Sequence, residues 1–282
     1  MKEHLQLTVA DGVRFHAVRS GSGPAVVLLH GFTGSAETWT ELQSTLCDRY
    51  TTIAVDITGH GLSDSPADPR RYSLNRFADD LRDILDSLAT SRAAILGYSM
   101  GGRAALRFAI RHPDRVAGLI LESTSPGVVD PQERDRRITS DIELADFVER
   151  EGVAAFVNRW EALPLWSSLA GAPVPSLERL RTERLTNGVR GLANSLRGAG
   201  SAADPPVNDD LRTIRTFVRV IVGELDAKYV AIARLMGASI PRVEVDIVHG
   251  AGHMTHLEQP KRFQELVESA LNGLDRQRGD WA

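Results

Sequence analysis

Through the first half of the chain, short runs of consecutive apolar residues alternate with stretches in which apolar residues recur at helical spacing. The apolar runs occupy residues 24–30, 51–55, 93–96 and 116–121, and the helical stretches occupy residues 38–46, 73–88 and 102–110. Continuous apolar runs of this length are typical of strands that a parallel sheet buries on both faces. Their alternation with helices predicts an α/β protein with a right-handed, doubly wound and mostly parallel sheet.

Both ends of the chain extend this sheet. Residues 4–9 and 13–19 alternate in polarity and are joined at Asp11-Gly12, a combination that predicts a β-hairpin at an antiparallel edge. Toward the C-terminus, the predicted elements are strands at residues 216–222 and 243–248 and a closing helix at residues 260–274.

Between these two parts the pattern changes to helical periods with few β-branched runs. The breaks in it fall at Gly152, Pro164, Pro173, Pro175 and the stretch Asp204-Pro205-Pro206. Proline and glycine interrupt helices, so the segment is predicted to hold several separate helices. We therefore expect a first core segment at residues 1–127, a helical cap inserted at 128–210 and a second core segment at 211–282.

Composition excludes several classes of protein. The 282 residues are 42 % hydrophobic and carry a net charge of −4, which argues against nucleic acid or a membrane surface as a partner. The single cysteine, Cys47, excludes a disulfide framework and a cysteine-rich metal site. Because the N-terminal sequence lacks an apolar signal region, a soluble cytoplasmic protein is expected. Since no metal cluster or phosphate-binding loop is apparent, we expect no cofactor.

The strand predicted at residues 93–96 leads into Gly97-Tyr98-Ser99-Met100-Gly101 and then into a helix. A G-x-S-x-G motif between a strand and a helix is typical of a nucleophile elbow, in which a tight turn exposes the serine side chain. Side chains two residues to either side would collide with such a turn, which explains the glycines. Ser99 is therefore the candidate nucleophile or base.

A serine of this kind needs a histidine base, and the histidine needs an orienting carboxylate. The loop after the strand at 216–222 offers Glu224 and Asp226, and the loop after the strand at 243–248 offers His249, His253 and His256. Asp226 lies further past its strand, with room to be aimed at a histidine. His253 follows a glycine and precedes the closing helix, whereas His249 sits at the strand terminus. We therefore predict Asp226 and His253 as the partners of Ser99.

With these motifs in place, the sequence resembles the α/β-hydrolase family over its whole length. The resemblance rests on HGFTGS at 30–35, DITGHGLSDSP at 56–66, GYSMGG at 97–102, GELD at 223–226 and GHMTHLEQP at 252–260. It implies that Ser99, Asp226 and His253 form a catalytic triad and that the backbone amides of Phe32 and Met100 form an oxyanion hole. Because this fold supports many reactions, the fold alone does not give the activity.

Several cap and elbow residues suggest a ligand that carries carboxylates. Arg103 follows Ser99 by four residues, about one helical turn. Arg184 lies on the helical face of Leu177 and Leu180, where an apolar residue is expected and where a charge is costly unless it is paired. Arg137 belongs to the run that enters the cap. The alternative for each arginine is a solvated or ion-paired surface position.

The match extends through the cap, where relatives of this fold differ most. The segments GYSMGGRAALRFA, FVNRWEALPLW and RLTNGVRGLANSLRGAG are similar to the 2-succinyl-6-hydroxy-2,4-cyclohexadiene-1-carboxylate synthases of menaquinone biosynthesis. This resemblance implies a lyase that expels pyruvate from a small polycarboxylate substrate, with Tyr98 and Trp160 lining the pocket and Arg103, Arg137 and Arg184 binding carboxylates. The alternatives are a carbon–carbon bond hydrolase or carboxylesterase of the same fold, and a ligand receptor without turnover.

Overall fold

A twisted sheet of eight strands organises the residues that the computed structural model describes, residues 2–277. The strands are β1 (Lys2–Thr8), β2 (Arg14–Ser20), β3 (Ala25–Leu29), β4 (Thr51–Val55), β5 (Ala93–Tyr98), β6 (Val116–Glu122), β7 (Phe217–Gly223) and β8 (Val243–Val248). Their order is β1-β2-β4-β3-β5-β6-β7-β8. The β1–β2 hairpin pairs antiparallel with β4, and all later pairs are parallel. The first residue of the predicted segment 1–127 and the last five of the segment 211–282 lie outside the described residues.

Helices cover both faces of the sheet. They are α1 (Thr40–Leu46), α2 (Leu74–Ser87), α3 (Met100–Arg111), α4 (Pro131–Glu161), α5 (Val174–Leu185), α6 (Val189–Ala199), α7 (Ala227–Ser239), α8 (Thr255–Glu258) and α9 (Pro260–Gln277). Alternate residues of each strand point to opposite faces. In β3, Val27 packs in the cluster that holds α2, α3 and α7, whereas Leu28 packs in the cluster that holds α1 and α9.

The elements between β6 and β7 are the helices α4, α5 and α6, together with short 3-10 helices at Pro164–Gly171 and Leu211–Thr213. At the predicted break Gly152, with φ 80° and ψ 172°, the backbone leaves helical geometry and α4 is kinked. A separate apolar cluster joins α4, on both sides of this kink, to α6 and packs against Phe32 and Trp160. The predicted doubly wound sheet with an inserted helical cap is thus confirmed.

The helix α7 was not predicted from the sequence. Its apolar residues do not keep to one face: Met236 is buried, but the neighbouring Leu235 is 65 % exposed. The helical periodicity that identifies an amphipathic helix is therefore weak here.

None of the helices within residues 2–277 combines the length and the apolar character needed to cross a membrane.

Candidate active site

Ser99 occupies the tight turn between β5 and α3. Its backbone lies in the left-handed region, at φ 51° and ψ −106°, a conformation that is strained for a residue with a side chain. Two hydrogen bonds hold it, from Ser99 N to Glu122 O at 2.8 Å and from Thr124 Oγ1 to Ser99 O at 2.7 Å. A Cβ on Gly101 would lie 2.3 Å from Leu29 O. The turn can therefore pack against β3 only with glycine at that position.

The structure brings Ser99, His253 and Asp226 together at the carboxyl ends of the parallel strands. His253 Nε2 lies 3.1 Å from Ser99 Oγ, and His253 Nδ1 lies 2.6 Å from Asp226 Oδ2. A second contact fixes the acid, since Tyr229 N donates to Asp226 Oδ1 at 3.4 Å. His253 and Asp226 are both buried. When the ring donates from Nδ1 to the carboxylate, Nε2 is free to accept the serine proton.

The alternative acid and histidines have other partners. Glu224 and His249 lie 2.7 Å apart at the surface, where the His249 side chain is 93 % exposed. His256 Nδ1 donates to the buried carboxylate of Glu122 at 2.9 Å. The arrangement of serine, base and carboxylate is therefore met by His253 and Asp226 rather than by these neighbours.

The two residues predicted to form the oxyanion hole lie beside Ser99. Met100 is the first residue of α3, and the first amides of a helix have no carbonyl partner within it. Phe32 follows Gly31, where an added Cβ would lie 3.5 Å from Ser99 Cβ. The loop after β3 therefore passes directly against the nucleophile. The stabilising role of both amides stays a prediction.

A cavity of about 710 Å³ opens over these residues, between the sheet and the cap. Its walls include these residues predicted from the sequence: Phe32, Tyr98, Ser99, Met100, Arg103, Arg137, Trp160 and His253. Three buried donors in its walls, Tyr98 Oη, Trp160 Nε1 and Trp166 Nε1, have no hydrogen-bond partner within the described part of the chain. Buried donors are normally satisfied. These three atoms lack the partner that a buried donor normally has, and none of them is exposed to the cavity itself.

The two arginines in the wall have different surroundings. Arg103 Nη1 donates to Gly200 O at 2.8 Å, so this contact is with a neutral carbonyl. Burial lowers the pKa of Arg103 to about 10, which leaves it charged at neutral pH. Arg137, in contrast, donates from Nε to Asp141 Oδ2 at 3.0 Å, one turn along α4. Of the two arginines, Arg103 is therefore the one whose charge no carboxylate in the described residues balances at contact distance.

The structure corrects the prediction for Arg184. This residue is buried, as its place on an apolar face suggested, but it is not part of the cavity wall. Arg184 Nη1 donates to Glu161 Oε1 at 3.2 Å, and its guanidinium lies 4.9 Å from the Trp166 ring centroid. The charge that was expected to need a ligand carboxylate is therefore paired inside the protein.

Three residues near the site were not predicted. The ring centroids of Tyr229 and Trp166 lie 4.6 Å and 5.7 Å from that of His253, and Asp141 is buried in the cavity wall. Tyr229 belongs to the first turn of α7, a helix that the sequence did not predict, so only its place three residues after Asp226 could have pointed to it. Asp141 could have been found from its spacing of four residues after Arg137, which places both on one face of a helix.

Comparison with known proteins identifies the family of this chain. Residues 26–266 match the model of the alpha/beta hydrolase family. The chain is 42 % identical to a Bacillus subtilis (strain 168) protein assigned provisionally as a 2-succinyl-6-hydroxy-2,4-cyclohexadiene-1-carboxylate synthase, over 96 % of this chain and 99 % of that protein.

Two solved structures are also similar over nearly their whole length. MenH from S. aureus has a TM-score of 0.87 at 30 % identity, with 97 % of this chain and 98 % of that chain covered. A malate-bound thermophilic esterase from Thermogutta terrifontis has a TM-score of 0.83 at 27 % identity, with 96 % and 99 % covered. The resemblance predicted from the motifs is confirmed. This chain belongs to the alpha/beta hydrolase family.

Proposed function

We propose that the protein is a carbon–oxygen lyase of menaquinone biosynthesis. Its substrate would be 2-succinyl-5-enolpyruvyl-6-hydroxy-3-cyclohexene-1-carboxylate, and its products pyruvate and 2-succinyl-6-hydroxy-2,4-cyclohexadiene-1-carboxylate. The similarity to proteins named as synthases of the latter compound supports this proposal. We also propose a cytoplasmic location and, because the chain's own residues suffice for each step, a reaction without a cofactor.

The observation that carries the proposal is the charge of Arg103 in the cavity that holds Ser99 and His253. Arg103 lines this cavity, and the acceptor of its hydrogen bond is the neutral carbonyl of Gly200 rather than a carboxylate. A simple ester offers few acceptor oxygens for such a wall, whereas a substrate with three carboxylates, a ketone and a hydroxyl offers many. Hydrogen bonds that involve a charged partner are also the stronger ones, about twice a neutral pair.

In the proposed mechanism Ser99 acts as a base rather than as a nucleophile. His253, oriented by Asp226, draws the hydroxyl proton while Ser99 Oγ removes the ring proton next to the succinyl ketone. The electrons of the broken C–H bond move through the ring alkene, and the C–O bond to the enolpyruvyl group breaks. The departing enolate takes the proton that His253 received and becomes pyruvate, while Ser99 Oγ keeps the ring proton as its hydroxyl hydrogen. No acyl-enzyme forms, and the protons balance.

The negative charge that develops on the ketone oxygen would be received by the amides of Phe32 and Met100. Loss of one such donor typically costs about 10²–10³ in rate. The residues that catalyse acyl transfer in this fold can thus catalyse an elimination, because an enolate oxygen and a tetrahedral oxyanion both need backbone amides to stabilise a negative charge.

A second candidate is a carboxylesterase, which the similarity to the Thermogutta terrifontis esterase favours. The two are separated by measuring kcat/KM for the enolpyruvyl cyclohexene and for p-nitrophenyl acetate with the same preparation. The lyase proposal predicts that the first exceeds the second by at least about 10³-fold, since only the first substrate can use the donors in the wall. Higher kcat/KM for the ester would favour the esterase.

A further inference from the structure

Asp141 places a buried negative charge in the wall of a cavity proposed to receive carboxylates. Its side chain is only 5 % exposed, and Arg137 Nη2 lies 2.9 Å from its Oδ1. Together with the bond from Arg137 Nε to Oδ2 at 3.0 Å, this makes a two-point ion pair within α4. Both oxygens of Asp141 are thus engaged by one guanidinium.

The opposite side of Asp141 faces the end of α6. A Cβ on Gly200 would lie 2.5 Å from Asp141 Oδ2, and the carbonyl of Gly200 accepts the hydrogen bond from Arg103. Burial raises the pKa of Asp141, and the charges of Arg137 and Arg103 oppose that rise. The carboxylate therefore interacts with both arginines of the cavity wall.

The two arginines are unequal as a result. A ligand carboxylate that reaches Arg103 meets a positive charge whose nearest partner is a neutral carbonyl. A carboxylate that approaches Arg137 meets a guanidinium already neutralised, and it is repelled by Asp141. Like charges placed side by side in a recognition site disfavour binding.

We propose that Asp141 is a specificity-determining residue that limits the negative charge the cavity accepts beside Arg137. The inference rests on the proposed function in taking carboxylates as ligands. It adds that the two arginines of the cavity wall bind different groups of the same ligand. One ligand carboxylate is bound as an ion at Arg103, whereas Arg137 offers its remaining donors to a neutral oxygen such as a hydroxyl or ketone.

The test compares two probes of equal chain length, succinate and butyrate, by calorimetric titration of the protein and of its Asp141→Asn variant. The substitution keeps the shape of the side chain and removes its charge. The dissociation constant of succinate should fall about tenfold, while that of butyrate should change less than threefold, because only succinate brings a second carboxylate. Equal changes for both probes, weaker succinate binding in the variant, or no succinate binding to either protein would overturn the proposal.

Three further variants complete the test. Asp141→Glu keeps the charge and should bind succinate as the unaltered protein does. Asp146→Asn removes a carboxylate from the same helix whose side chain is 57 % exposed and pairs with Arg197; it should change neither dissociation constant. The double variant Arg137→Gln/Asp141→Asn removes a compensated pair and serves if the single variant does not fold. In this variant the ratio of the succinate and butyrate dissociation constants should stay within threefold of the original ratio, and a tenfold change in that ratio would contradict the proposal.

Neither probe is turned over, so this result is independent of the reaction. Absence of pyruvate release from the enolpyruvyl substrate would remove the proposed function. An unchanged preference between succinate and butyrate in Asp141→Asn would remove only the role of Asp141.

Discussion

His253 Nε2 lies 3.1 Å from Ser99 Oγ, although 154 residues separate the two in the chain. The contact exists because β5 and β8 both end at the same edge of the sheet, with β6 and β7 between them. In open α/β sheets, ligands bind outside the carboxyl ends of the strands. The pair therefore lies where this fold favours a ligand-binding site.

Replacement of Ser99 by alanine removes the proposed base and leaves the cavity walls in place. We expect turnover of the enolpyruvyl substrate to fall by about 10³-fold or more, since removal of one triad member disables the unit. The dissociation constant of the substrate, measured by calorimetry, should stay within a few-fold. Ser44→Ala, at an exposed position of α1, serves as the control. Retention of most activity in Ser99→Ala would exclude Ser99 as the base.

Arg103 and Arg184 should behave differently when each is replaced by glutamine. Arg103→Gln can keep a hydrogen bond to Gly200 O but loses the charge, so KM should rise about 10- to 100-fold, the range expected for a charged hydrogen bond. Arg184→Gln should leave KM within about threefold and lower the stability, because it breaks the buried pair with Glu161. Steady-state kinetics measures KM, and urea unfolding measures the stability, of each variant. Similar increases in KM for the two variants would place Arg184 in contact with substrate.

The neighbouring histidine offers a separate check on the triad. Thr255 Oγ1 and His256 Nδ1 both donate to Glu122, so His256→Gln weakens the support of a buried carboxylate. We expect this variant to lose about 1.5–3 kcal/mol of unfolding free energy, the range for a hydrogen bond to a charged group, and to keep kcat within about tenfold. His253→Gln should instead lose at least about 10³-fold in kcat. Equal losses of kcat would mean that His256 takes part in catalysis.

Stability should fall on mild acidification because of a buried histidine. Burial lowers the pKa of His60 from 6.5 to about 3, and burial also lowers the pKa of the neighbouring His30. Between pH 6.5 and 3 the unfolded chain binds the proton more readily than the folded one. The contribution of neutral His60 to the free energy of unfolding is therefore complete above pH 6.5 and is lost as the pH falls below that value. For His60 alone the loss at pH 5 is about 2 kcal/mol.

The measurement is the unfolding free energy by urea at pH 7 and pH 5. His60→Gln should be less stable at pH 7, yet it should lose about 2 kcal/mol less between the two values. His249→Gln, which alters a side chain that is 93 % exposed, should show the same pH dependence as the unaltered protein. An unchanged pH dependence in His60→Gln would refute the assignment to His60.

The strands and the nucleophile loop could be predicted because their signals are local. Buried strands appear as continuous apolar runs, and the glycines around Ser99 follow from the turn that it occupies. The positions of the candidate residues within their loops then narrowed the choice to Asp226 and His253, the pair that the structure brings to Ser99.

The parts that the sequence did not predict depend on contacts between distant segments. Arg184 lies on a buried face, as its spacing indicated, but its partner Glu161 belongs to another helix, 23 residues away. Whether a buried charge meets a ligand or a protein side chain is decided by how α4 and α5 pack. The same holds for Trp166, whose approach to the His253 ring depends on the placement of the whole cap.

The most direct test supplies the enolpyruvyl cyclohexene substrate, generated in situ by the preceding pathway enzyme, and follows pyruvate release together with the absorbance of the diene. We expect multiple turnovers of the enzyme, in which pyruvate and diene form in equal amounts. If neither product forms while simple esters are hydrolysed repeatedly, the protein is an ordinary hydrolase and the central claim is contradicted.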